Sequence, residues 1–139
     1  MKKFTYKHKV QYYETDKMGI VHHSNYIRWM EEARTFMLEE AGFGFEKMEE
    51  LGIGSPVLSV ECSYKRPTTY GDTVLIDVFL SKTGGVRFSI GYEMRVEGSE
   101  KICAMGETSH CFMNSKGRIV LLKRELPEVD ALLSETLGY

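Results

Sequence analysis

Residues 12–34 read YYETDKMGIVHHSNYIRWMEEAR, and this stretch decides how the chain is understood. It begins as the end of a strand, breaks at residues 16–19, and resumes as an amphipathic helix. Just upstream, Phe4, Tyr6, His8, Val10 and Tyr12 alternate with Thr5, Lys7, Lys9 and Gln11. A period of two rich in aromatics predicts a half-buried strand over residues 4–13. The segment ETDKMG then supplies turn residues and a glycine. From residue 24 the apolar spacing changes to three and four: Tyr26, Met30, Ala33, Met37 and Ala41, joined by Trp29 and Phe36. That spacing predicts a helix over 24–41, capped by Ser24 or Asn25 and ended by Gly42. At 1.5 Å per residue it is about 27 Å long, enough to cross a sheet of about five strands. Its aromatic and methionine stripe reads as core.

Strand patterns fill most of the remaining chain. Leu58, Val60, Cys62 and Tyr64 alternate, as do Val74, Ile76, Val78 and Leu80. Val86, Phe88, Ile90, Tyr92, Met94 and Val96 form the longest run, and Ile102, Ala104, Gly106, Thr108, His110 and Phe112 a weaker one. The turn segments RPTTYGD, KTGG, VEGSE and NSKGR lie between and after these runs. Connections of that length join antiparallel neighbours, which predicts a meander-like sheet. A short helical segment is expected in FEKMEELGIG, and a C-terminal helix from Pro127. One long helix and one sheet, each with a single apolar face, make an α+β two-layer domain spanning 1–139.

Composition narrows the class of function. With 139 residues, 42% of them apolar and 27% charged, the chain has the make-up of a soluble globular domain. A net charge of -2 without a block of one sign argues against nucleic-acid binding and attachment to acidic membranes. It leaves room for a local basic patch facing a phosphorylated small molecule. No run approaches the roughly 20 apolar residues of a spanning helix, and the opening MKKFTYKHKV is not patterned as a secretory signal. Cys62, Cys103 and Cys111 are odd in number and lack CxxC spacing, as suits reduced thiols in the cytoplasm.

The commonest catalytic signatures, GxSxG, GxxxxGK[ST], GxGxxG and HExxH, are absent from the sequence. His22 and His23 are adjacent, so their imidazoles do not aim at one ion, and no spaced partner completes a metal site. His8 and His110 lie on apolar strand faces and read as hydrogen-bonded core or cleft histidines. Asp16 has two readings. An aspartate in TDKMG caps a turn. It also precedes the N-terminus of the longest helix, where unpaired N–H groups and a partial positive charge can receive an oxyanion. A carboxylate beside that point can activate water or attack an acyl carbon itself.

The pattern Asp16, Gly19, Ile20, Val21, His22, His23, Asn25, Tyr26, Glu31, Arg34 resembles the signature of the 4-hydroxybenzoyl-CoA thioesterase family, small bacterial acyl-CoA hydrolases of the hotdog fold. YKRPTTYGD, VRFSIGYEM and IVLLKRELPE fit the same family, so the resemblance covers nearly the whole chain. It implies an antiparallel sheet of about five strands wrapped around one long helix. It also implies homodimers or homotetramers with active sites where subunits meet, and hydrolysis of an acyl-CoA without a cofactor or metal. The family's acid falls on Asp16 and its backbone oxyanion donor on His23. Gly19, His22, Tyr26 and Glu31 fall at the substrate pocket. Arg66, Lys82 and Arg87 are candidates for binding the CoA nucleotide. Two other activities remain open at this point: hydration or dehydration of an acyl thioester, and acyl-CoA binding without turnover.

Overall fold

The computed structural model describes residues 2–139. Strand β1 (Lys3–Lys9) runs into a 3-10 turn (Tyr12–Glu14), a loop carrying Asp16, and helix α1 (Ser24–Glu40). Helix α2 (Phe45–Glu50) and strand β2 (Ile53–Gly54) precede β3 (Val57–Tyr64), β4 (Thr73–Lys82), β5 (Phe88–Val96) and β6 (Ile102–His110). The chain then forms β7 (Phe112–Asn114), β8 (Ile119–Val120), α3 (Leu122–Glu125) and α4 (Pro127–Leu137).

Five strands form one antiparallel sheet in the order β1-β4-β5-β6-β3. Helix α1 lies on one face of it, the hotdog arrangement. Trp29, Met30, Ala33 and Met37 are fully buried against Val74, Ile76, Val78, Ile90, Tyr92, Met94 and Ala104, each at most 1% exposed. Burying a large apolar side chain stabilises by about 1.5–3 kcal/mol, so this interface dominates the core. Helix and sheet approach closely at Gly106, where a Cβ would overlap Met30 Cε. The helix ends in a Schellman turn: Gly42, at φ 81°, donates to Glu39 O (3.0 Å) and Phe43 N to Leu38 O (2.9 Å).

The structure corrects several expectations. Strand β1 stops at Lys9, and Tyr12 is 75% exposed rather than packed with Phe4 and Tyr6. Past Lys9 the backbone leaves β4, because Gln11 N donates to the Glu14 carboxylate (2.8 Å). Neither Ser24 nor Asn25 caps α1. His23 is the N-cap, without a side-chain cap hydrogen bond, and the Asn25 amide donates to Glu14 O (2.9 Å). Only β4, β5 and β6 form a meander. Strand β3 sits beyond β6, so the segment RPTTYGD is a crossover and not a hairpin. The short sheet β2-β7-β8 was not anticipated either. Val60 and Tyr64 of β3 pair with Thr108 and Ala104 and so share their helix-facing side, yet they are 38% and 46% exposed. Helix α1 does not reach this edge strand far enough to cover it.

Candidate active site

The loop after β1 is built by its own backbone. Thr15 bridges to Val21, Asp16 N donates to Ile20 O (2.8 Å), and Gly19 N donates to Asp16 O (3.0 Å). Gly19 has φ 79° with open space around it, so the backbone angle and not crowding calls for glycine. Asp16 Oδ1 accepts from Met18 N (2.8 Å). The turn-capping reading of Asp16 is therefore realised, but it occupies only one oxygen. Among the described residues Oδ2 makes no hydrogen bond. Asp16 opens onto a cavity of about 370 Å³ shared with Ile20, His23, Tyr26, Tyr64 and Arg66.

Helix α1 begins at the same cavity. The His23 N–H has no acceptor among the described residues, as expected for a group at the first turn of a helix. Its carbonyl accepts from Tyr64 OH (3.2 Å). The crossover that follows β3 forms the floor. Lys65 N and Arg66 N both donate to Cys103 O (2.8 and 3.0 Å), Ile20 bridges to Thr69, and Val21 N donates to Thr68 O (2.8 Å). The buried Tyr26 hydroxyl bonds Thr68 Oγ1 (2.7 Å). Burial raises the Tyr26 phenol above its usual range, partly offset by Thr68, so it is a hydrogen-bonding wall and not a base. The unexpected crossover thus creates the site, bringing Arg66 beside the helix N-terminus.

Beneath the loop lies a residue that sequence reasoning missed. Glu14 is 4% exposed. Its Oε1 accepts from Gln11 N (2.8 Å) and lies 2.8 Å from His8 Nε2, while Oε2 accepts from Trp29 Nε1 (2.7 Å). Burial alone would raise its pKa, but the bonds from Gln11, His8 and Trp29 outweigh that and hold it below the usual value. A Glu three residues after Gln11, forming a capping box, is the signal that was there to find.

Of the anticipated site residues, Asp16, His23, Tyr26 and Arg66 meet in one cavity. Gly19 shapes the loop but does not line the wall. His22 turns away: its Nδ1 pairs with Ser24 Oγ (2.8 Å) and its ring packs on His23 at 4.2 Å. It neither lines this cavity nor bonds Asp16. Glu31 is exposed further along α1 and stands outside the cavity of a single subunit. Lys82 pairs with Glu107 (3.5 Å). Arg87 lines a second cavity of about 380 Å³ together with Met37, Leu80 and Leu133. That cavity lies about 20 Å along α1 from the first, so within one subunit Lys82 and Arg87 do not join Arg66. His8 and His110 are both hydrogen-bonded, to Glu14 and Thr108. Among the described residues no three His, Cys, Asp or Glu side chains are grouped to hold a metal ion.

Comparison with known proteins identifies the family. Residues 10–136 match the model of the thioesterase-like superfamily. The chain is 38% identical over 126 residues to a putative esterase of Aquifex aeolicus, covering 91% of this chain and 96% of that one. It is 32% identical over 120 residues to the putative acyl-CoA thioesterase YneP of Bacillus subtilis, covering 86% and 87%. The solved structure of a DHNA-CoA thioesterase from Staphylococcus aureus superposes with a TM-score of 0.88 at 28% identity, covering 96% of this chain and 89% of that one.

Proposed function

The chain belongs to the thioesterase-like superfamily, and we propose that it hydrolyses an acyl-CoA thioester to a carboxylic acid and free CoA. The observation that carries this reading is the convergence of the Asp16 carboxylate and the unpaired His23 N–H on one cavity at a helix N-terminus. The thioester carbonyl oxygen sits at the His23 N–H, where the helix adds partial positive charge as the oxyanion develops. Asp16 keeps one oxygen in the turn and presents the other. As a general base it takes a proton from water, which attacks the acyl carbon and expels CoA thiolate. As a nucleophile it attacks the carbon directly, expels the thiolate and leaves a mixed anhydride that water cleaves. Both routes use the same geometry. Tyr26 and Tyr64 wall the acyl group, and Arg66 meets the anionic CoA moiety.

The residue pattern from Asp16 to Arg34 supports a finer placement, in the 4-hydroxybenzoyl-CoA thioesterase branch. The exposed apolar residues and unpaired edge of β3 support a homodimer, or a tetramer built from it, in which a second copy covers this edge. In that assembly Glu31, His22, Lys82 and Arg87 would complete the pocket and the CoA contacts across the interface. Three cysteines without disulfides fit the cytoplasm, and no helix among the described residues is long and apolar enough to cross a membrane. A thiol-release assay with short-chain, long-chain and aromatic acyl-CoAs tests the reading. Turnover of at least one with release of free thiol is expected. Hydration of an enoyl-CoA without thiol release, or tight binding without turnover, would replace it.

A further inference from the structure

We propose that Glu14 is a positioning residue that sets Asp16 against the oxyanion-binding end of α1; this rests on the thioesterase reading above. Two sets of bonds meet at this one residue. Its side chain joins three parts of the fold: β1 through His8 (2.8 Å), the 3-10 turn through Gln11 N (2.8 Å), and α1 through Trp29 Nε1 (2.7 Å). Its carbonyl oxygen accepts from His22 N and from the Asn25 amide, each at 2.9 Å. His22 N lies one residue before the proposed oxyanion donor, and Glu14 lies two residues before the proposed base. The side chain fixes where the loop begins, and the main chain clamps the loop to the start of the helix. The distance from Asp16 to the His23 N–H is thereby held by a single short segment of chain.

A carboxylate is needed for this, and not merely a polar group. Three donors converge on its two oxygens in a place that is 4% exposed. An anion accepts all of them; an amide presents a donor to one side and opposes either the Trp29 Nε1–H or the Gln11 N–H, neither of which can reverse its role. The surroundings hold His8 in place. The His8 ring packs on Trp29 at 4.7 Å, and its Nδ1 lies 3.5 Å from Glu32, which in turn accepts from Tyr6 OH (2.8 Å). Displacing reacting groups by about 1 Å can cost about a hundredfold in rate.

The test is a double-mutant cycle between Glu14→Gln and Asp16→Asn, read as steady-state kinetics on the best acyl-CoA substrate. Glu14→Gln should lower kcat about ten- to a hundredfold while KM changes less than about threefold. In the Asp16→Asn background the same change should cost less than about threefold, because there is no longer a base to misplace. An equal loss of kcat in both backgrounds, or a shift in melting temperature with unchanged kcat, overturns the proposal. Asp16→Asn alone separates it from the functional reading: if that variant is fully active, the assignment of Asp16 fails; if it is impaired and the effects add, only the role of Glu14 fails. Trp29→Phe, which removes one donor and leaves the carboxylate, repeats the cycle should Glu14→Gln not fold. A kcat loss that disappears without Asp16 supports the proposal, and one that persists overturns it.

Discussion

Acidification should weaken this protein through one core residue, His110. Its side chain is 1% exposed at the end of β6, with Nε2 bonded to Thr108 Oγ1 (2.7 Å), which in turn pairs with Tyr92 OH (2.7 Å). Nδ1 has no hydrogen-bond partner among the described residues, and Phe88 stacks on the ring at 5.2 Å. Burial, then the charge of Arg34, pushes the imidazole from 6.5 down to about 4; the nearby backbone of Ser55 and Pro56 offsets part of this. In the unfolded chain it titrates at its ordinary 6.5. Between those values the unfolded state binds more protons than the folded one, so stability rises with pH across the window and falls on acidification. A window of that width, at 1.36 kcal/mol per pH unit, corresponds to roughly 3 kcal/mol. That is a large share of the roughly 5–15 kcal/mol typical of a domain. Glu14 acts in the same direction lower down: its pKa is depressed, so its contribution is lost as the pH falls below the ordinary carboxylate range. Urea unfolding at several pH values between 7.5 and 4.5 should show the drop in wild type. It should be largely missing in His110→Gln, whose amide can still bond Thr108 but does not titrate in this range. A flat wild-type profile, or the same drop in His110→Gln, would refute the reasoning.

Other outcomes follow from the same structure. Gly106→Ala should cost about 1–3 kcal/mol, seen as a lowered melting temperature, because its Cβ overlaps Met30 Cε and crowds Glu61 O at 2.9 Å. Val60→Glu should convert the proposed oligomer to a monomer in light scattering and reduce turnover with it, since a charge on this half-exposed edge opposes burial against a second copy. Arg66→Ala should raise KM for the acyl-CoA about tenfold with kcat little changed, since the role proposed for its exposed guanidinium is to bind CoA and not to touch the reacting atoms.

The helix was legible because its apolar residues repeat at three and four from Tyr26 to Ala41, a pattern that only a helix buries on one side. Strand β4 was legible for the matching reason: Val74, Ile76, Val78 and Leu80 are all buried and the residues between them are not. Strand order was not, because alternation says which face a residue takes and nothing about which strand lies beside it. The crossover of residues 65–72 looked like a hairpin turn and instead became the floor of the site. Exposure of Val60 and Tyr64 was also out of reach, because their spacing is that of a core strand. Asp16 was visible both as a turn cap and, from its place before the helix N-terminus and the family pattern, as a candidate acid. What the sequence could not show is that one of its oxygens is held by Met18 N while the residue shares a cavity with His23. Glu14 was hidden more deeply, since His8, Gln11 and Trp29 come together around it only after the chain folds.

The most direct test is the turnover of Asp16→Asn. An asparagine at this position keeps the oxygen that accepts from Met18 N (2.8 Å), so the loop retains its shape, while the charge needed to activate water or attack the acyl carbon is removed. In a thiol-release assay on the best acyl-CoA, kcat should fall at least about a hundredfold, with an unchanged melting temperature. Near wild-type release of CoA by a folded Asp16→Asn protein would contradict the account.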